Sequence, residues 1–208
     1  MPDYTMTELN ISNIYLTTLP QDISRYTNLT KLSCNNNKLT VLDNLPLRLE
    51  VLYCNCNVIN SLDNLPLTLK VLNCYYNNLT ELDNLPQTLK KIVCSHNKLR
   101  ELDNLPTALE VLYCNYNKIT TLNNLPTKLD VLYCYDNAIE YLDNLPPALK
   151  ELYCSNNKIT TLDNLPITLK QLTININDLV HYPKNFKITK SQILSYTYIL
   201  TNIVITKK

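Results

Sequence analysis

Apolar residues recur along the chain in blocks of fixed length. From Leu29 to Thr168 seven consecutive 20-residue units read L-x-x-L-x-C-x-x-N-x-[LI]-x-x-L-[DN]-N-L-P-x-x, with Ile92 replacing the second Leu once. Within a unit, Leu52 and Cys54 stand two apart, so they share one face of a strand while Tyr53 points to the other. A strand this short cannot bury its apolar face alone. The units are therefore predicted to stack, with their strands pairing in parallel. The closing Leu45-Pro46 and its equivalents oppose a helix on the return path, because Pro biases the preceding residue toward extended backbone. An extended or 3-10-like return is expected instead. Ten units or fewer, stacked at about 4.8 Å, predict a sheet roughly 40–48 Å long.

The ends depart from the frame. Leu9, Ile11, Leu16, Leu19-Pro20 and Ile23 form a longer first unit, with 23 residues between Leu9 and Leu32. An eighth unit begins at Leu169 with Leu172, Ile174, Asn177 and Leu179, then loses the closing segment after Tyr182-Pro183. The expected organisation is one domain: an N-terminal cap and longer first repeat (1–28), seven repeats (29–168), a partial repeat (169–182) and a C-terminal cap (183–208). The tail, with Ile193, Leu194, Tyr198, Ile199, Leu200, Ile203 and Ile205, is apolar enough to cover a last repeat and too short for a catalytic domain.

The unit resembles the leucine-rich repeat family, whose core is L-x-x-L-x-L-x-x-N-x-L. Its length and its closing L-x-x-L-D-N-L-P are similar to the short repeats of bacterial type III effectors. Cys in the third apolar column, on an Asn-, Tyr- and Lys-rich background, also resembles leucine-rich repeat proteins of giant DNA viruses. The resemblance implies a leucine-rich-repeat solenoid of the α/β horseshoe class, with a parallel β-sheet on the concave face and little or no helix in the repeats. It implies a binding scaffold for a protein partner, host or viral if the origin is a giant virus.

Composition narrows the chemistry. The chain contains no Gly, which excludes the Gly-rich phosphate loops of P-loop and Rossmann sites and leaves Asn and Asp to build the turns. Net charge is +1, so no overall pull toward nucleic acid or a membrane surface exists. Lys70, Lys90, Lys91, Lys150 and Lys170 are offset by Glu50, Glu110, Asp130 and Glu151. No apolar run approaches the roughly 20 residues of a membrane span. The first residues lack the basic and apolar regions of a secretory signal, so a reducing cytoplasm is the expected location. His96 and His181 are the only histidines, and no H-E-x-x-H, G-x-S-x-G or Cys/His pairing accompanies them. No catalytic residue, cofactor or metal site is expected, and His96 reads as a surface contact.

Three columns invite chemical readings, and architecture accounts for each. The Asn column (Asn37, Asn57, Asn77, Asn97, Asn117, Asn137, Asn157, Asn177) suits a buried ladder that bonds loop backbone in its own turn and the next. The Cys column (34, 54, 74, 94, 114, 134, 154) offers no zinc spacing, and the strand separation exceeds the usual Cβ distance of a disulfide. Ile11 and Ile174 fill the same column, so reduced Cys serves as a small apolar core residue there. Cys56 lies off this column. The Asp column (Asp43, Asp63, Asp83, Asp103, Asp143, Asp163) accepts Asn123 without a charge, which favours Asx bonds to loop amides over calcium.

Information must then lie where the units differ, on the strand positions opposite the core. The residues before each Cys, after it, and one further on collect eight of the 15 tyrosines: Tyr53, Tyr75, Tyr76, Tyr113, Tyr116, Tyr133, Tyr135 and Tyr153. Tyr mixed with Asn and Ser is the composition of an antibody-like paratope. Val51, Val71, Val111 and Val131 add an apolar strip between Lys31, Lys91 and Glu151. These eight tyrosines are the candidate partner-binding residues. The competing role is cross-strand stacking that serves the sheet alone. The other function class is a self-assembling component, or homodimer, that pairs through open sheet edges.

Overall fold

The computed structural model describes residues 2–159, 161–162, 165–175 and 202–206. One parallel sheet runs through it, with strands in chain order. These are β1 (Glu8–Asn10), β2 (Lys31–Ser33), β3 (Val51–Tyr53), β4 (Val71–Asn73), β5 (Lys91–Val93), β6 (Val111–Tyr113), β7 (Val131–Tyr133), β8 (Glu151–Tyr153), β9 (Gln171–Asn175) and β10 (Asn202–Thr206). Pairing keeps the repeat register: Leu52 opposes Leu72, and Leu112 opposes Leu132. The longer first unit obeys it too, because Leu9 opposes Leu32 and the extra residues form a 3-10 turn at Ile23–Arg25.

Each coil buries its own apolar columns against its neighbours. Leu49, Leu52, Cys54 and Ile59 are fully buried, and the same columns recur through Leu149, Leu152, Cys154 and Ile159. The return path contains no helix among the described repeats. It turns instead at Pro, where the Leu49 N–H donates to the Pro46 carbonyl at 3.2 Å, a bond repeated in every unit through Leu169 and Pro166. Just before it, Asn44, Asn64, Asn84, Asn104, Asn124 and Asn144 adopt φ of 56–60°, the left-handed geometry that Asn tolerates in place of the missing Gly.

The Asn column forms the polar spine of the stack. Asn77 Nδ2 donates to its own Cys74 and Tyr75 carbonyls and to Cys54 of the preceding unit, while its Oδ1 accepts the Ile59 N–H. The reach is thus to the preceding coil, where the sequence reading looked to the following one. The seven column cysteines form no disulfide among the described residues and are fully buried. Burial pushes the thiols of Cys34, Cys74 and Cys114 up to about 12. The Asp column bonds differently from expectation: Asp63, Asp83 and Asp103 accept from the side-chain amides of Asn84, Asn104 and Asn124 in the next unit, at 3.2–3.3 Å. Asn177, Asp163, His181 and most of the tail read as a cap lie outside the described residues. Within that tail, β10 extends the sheet in parallel beside β9.

Candidate functional site: the concave aromatic face

Alternation along each three-residue strand places the middle residue in the core and the flanking two on the open side. All seven strands β2–β8 show it, with the central residue buried and its neighbours half-buried. The open side therefore carries residues that the core does not require.

Two aromatic groupings occupy it. The first follows from register, since Tyr113, Tyr133 and Tyr153 oppose one another on β6–β8. Their ring centroids lie 4.3 and 4.1 Å apart, close to the strand spacing. Lys91 Nζ sits 5.0 Å from the Tyr113 ring centroid at one end, a cation–π contact. At the other end Gln171 Nε2 donates to the Tyr153 hydroxyl. Burial, reinforced by a hydrogen bond with Tyr153, raises the Tyr133 hydroxyl well above the usual phenol value.

The second grouping lies where the strands end. Tyr75, Tyr76, His96, Tyr116 and Tyr135 form a continuous set of ring contacts, with His96 stacked on Tyr116 at 4.1 Å. His96 also meets Tyr75 at 5.1 Å and Tyr76 at 5.7 Å. Ser95, next to His96 in the chain, is buried, and its Oγ donates to Asn115 Oδ1 at 2.6 Å. The Asp136 carboxylate beside Tyr116 raises that hydroxyl's pKa, and burial raises that of Tyr135.

Seven of the eight candidate tyrosines thus fall into two clusters. Tyr53 stands apart, because its strand neighbours are Ser33 and Asn73 and the Tyr113 ladder does not reach it. His96, the centre of the second cluster, was absent from the candidate set. Its column, Tyr76–His96–Tyr116, was the available signal. Each column residue also has an unexpected backbone: Cys56, Tyr76, His96 and Tyr116 adopt φ of 52–56°. The turns are therefore not all built from Asn, Asp and Pro. For a bulky residue such as Tyr76 or Tyr116 this left-handed geometry costs about 1–2 kcal/mol.

Ion pairs tie down the charges along the other flank of the sheet: Lys70–Glu50 at 2.8 Å, Lys90–Glu110 at 3.5 Å and Lys150–Asp130 at 2.9 Å. Among the described residues no group of three His, Cys, Asp or Glu is arranged to hold a metal ion. No helix among them is long and apolar enough to cross a membrane.

The same architecture recurs in known proteins. A family model described as leucine-rich repeats (2 copies) matches residues 127–167. The chain is similar to YopM from Yersinia enterocolitica at 35% identity and a TM-score of 0.77, covering 84% of this chain and 38% of that one. It is similar to YopM from Yersinia pestis, a leucine-rich effector protein, at 31% identity and a TM-score of 0.71, covering 81% and 54%. It is also similar to the functional domain of InlJ from Listeria monocytogenes, which includes a cysteine ladder, at 33% identity and a TM-score of 0.67, covering 83% and 44%. In each case the chain spans less than two thirds of the matched structure. No curated protein matches its sequence. With the parallel coils, the Asn spine and these likenesses together, the chain is a leucine-rich repeat protein whose repeats resemble those of bacterial effectors.

Proposed function

We propose that this protein binds another protein through the aromatic side of its sheet and carries out no chemistry of its own. Solenoids of this family serve as protein-binding scaffolds, and their open sheet is the surface that stacking leaves available. The observation that carries the reading is the Tyr113–Tyr133–Tyr153 ladder beside the ring cluster of Tyr75, Tyr76, His96, Tyr116 and Tyr135. Large rigid rings with Asn and Ser between them supply contact area at low entropic cost. Hot spots of this kind are rich in Tyr and surrounded by polar residues that exclude water. Buried cysteines that form no disulfide fit a reducing cytoplasm, of a host cell if the chain is viral.

Affinity capture from cell extract tests this, comparing wild type with Tyr133→Ala/Tyr135→Ala. The variant is expected to keep its fold by circular dichroism and to lose the captured protein. Equal capture by both would count against the aromatic face.

A second reading has its own observation. Among the described residues no strand pairs with the outer side of β1, where Leu9, Ile11 and Leu16 are only partly buried and Ile14 and Tyr15 are exposed. Self-association through that edge predicts sedimentation that depends on concentration. A monodisperse monomer at all concentrations would exclude it.

A further inference from the structure

Seven equivalent positions follow the strands, and all have φ between 52° and 56°: Asn36, Cys56, Tyr76, His96, Tyr116, Asp136 and Asn156. Asn and Asp relieve this geometry by bonding locally, and they occupy both ends of the row. The middle units carry Cys, Tyr, His and Tyr instead. Tyr is among the residues that the left-handed region disfavours most, being bulky. The rings do not escape water in return, since Tyr76 is 57% exposed and Tyr116 is 43% exposed. The contacts these rings make with one another and with Tyr75 and Tyr135 are of the same order as the cost of two left-handed tyrosines, and yet the rings stay open to solvent. Exposed rings held on a disfavoured backbone offer a surface for contact.

Charge says what that contact is. Two residues beyond the row, Lys98 and Lys118 are exposed. The four ion pairs among the described residues use Lys31, Lys70, Lys90 and Lys150, and none uses Lys98 or Lys118. One flank of the sheet is thus neutralised internally, while two of the row's three aromatic residues, His96 and Tyr116, are each followed two positions on by an exposed lysine that has no carboxylate within ion-pair distance among those residues. Asp136 closes the row at its other end, where Asn156 Nδ2 donates to it at 3.0 Å. A continuous polyanion would meet that carboxylate, whereas a peptide with acids at discrete positions need not.

We propose that Tyr76, His96 and Tyr116, with Lys98 and Lys118, form the contact for an acidic segment of a partner protein that bears an aromatic or apolar anchor. This rests on the concave face being protein-binding, and it names the residues and the chemistry of the partner. The anchor packs on the exposed rings, and carboxylates on either side of it meet the two ammonium groups.

A library of random dodecapeptides displayed on phage is selected on the full chain, and the enriched peptides are synthesised for fluorescence anisotropy. The expected result is enrichment of Asp or Glu beside Phe, Trp, Tyr or Leu, with binding that weakens as salt rises. Lys98→Glu/Lys118→Glu is expected to weaken binding about tenfold or more. Tyr76→Asn/His96→Asn/Tyr116→Asn is expected to abolish binding while its Tm stays at or above that of wild type. A lower Tm for this triple variant would make the rings structural and overturn the proposal. Enrichment of basic peptides, or none, would overturn it as well. So would a twelve-nucleotide oligothymidine binding as tightly as the best peptide. Peptides lost by Tyr133→Ala/Tyr135→Ala but kept by the triple variant would leave the concave-face reading standing and sink this one.

Discussion

Removing the Asn77 side chain probes the spine of the stack directly. Asn77→Ala deletes donor bonds to Cys54 O at 3.1 Å, Cys74 O at 3.0 Å and Tyr75 O at 3.4 Å, and an acceptor for the Ile59 N–H at 2.9 Å. The carbonyls do not suffer equally with the N–H. Cys54 O keeps Asn57 Nδ2, Cys74 O keeps Asn97 Nδ2, and Tyr75 O keeps the Cys56 N–H. Only the Ile59 N–H is stranded in the core. A stranded buried donor costs about 1–3 kcal/mol, and each of the two shorter donor bonds contributes about 0.5–1.5 kcal/mol, so the loss is about 4 kcal/mol. Asn97→Ala strands the Leu79 N–H in the same way. The double variant does something neither single does, because Cys74 O then loses both of its donors. Its cost should exceed the sum of the singles by about 1–3 kcal/mol. Asn57 and Asn97 share no carbonyl and form the control pair. Urea unfolding of all five variants gives both coupling energies. Additive behaviour for Asn77 with Asn97, or equal coupling in the two pairs, would refute the shared-carbonyl ladder.

The cysteine column makes two further predictions. Burial holds Cys34, Cys74 and Cys114 at about 12 against an ordinary 9.0, so the native state keeps these protons while the unfolded chain releases them. The resulting stability is complete below pH 9 and declines as pH rises toward 12, by about 1.4 kcal/mol per thiol at pH 10. Unfolding free energies measured from pH 8 to pH 11 should fall accordingly, and Cys114→Val should flatten the slope; an unchanged slope would contradict the assignment. In the native protein at pH 8, a chromogenic disulfide reagent should label Cys56 quickly and the seven buried thiols only on denaturation. Several fast thiols would show that the column is open.

Much of this was legible because the repeat states each position seven times. Ile11 and Ile174 in the Cys column identified it as core, and both residues are buried or packed against the core. The shared register of the strand residues likewise made the Tyr113–Tyr133–Tyr153 ladder a direct consequence of stacking. Backbone conformation was harder to read. Tyr76, His96 and Tyr116 occupy a slot that other units fill with Asn, Asp or Cys, but the pattern of apolar and polar residues carries no sign of φ. The ring contacts of His96 were hidden for a related reason, since its partners are about 20 residues away along the chain and meet only in the stacked coils. For Asp63, Asp83 and Asp103 the amide partners come from the next unit and not from the following loop. Asn202–Thr206 has no repeat signature, and its place beside β9 depends on a non-local pairing that no periodicity announces.

The central claim is that the aromatic face, and not the outer surface, receives a protein partner. Hydroxyl-radical footprinting of the chain, free and bound to the protein recovered by capture, tests it most directly. The opposite side offers internal controls in Leu47 and Leu67, which are 83% and 79% exposed. Protection of Tyr76, Tyr116, Tyr133 and Tyr135 with unchanged oxidation of Leu47 and Leu67 is the predicted result. Protection of Leu47 and Leu67 with the tyrosines unchanged would contradict it.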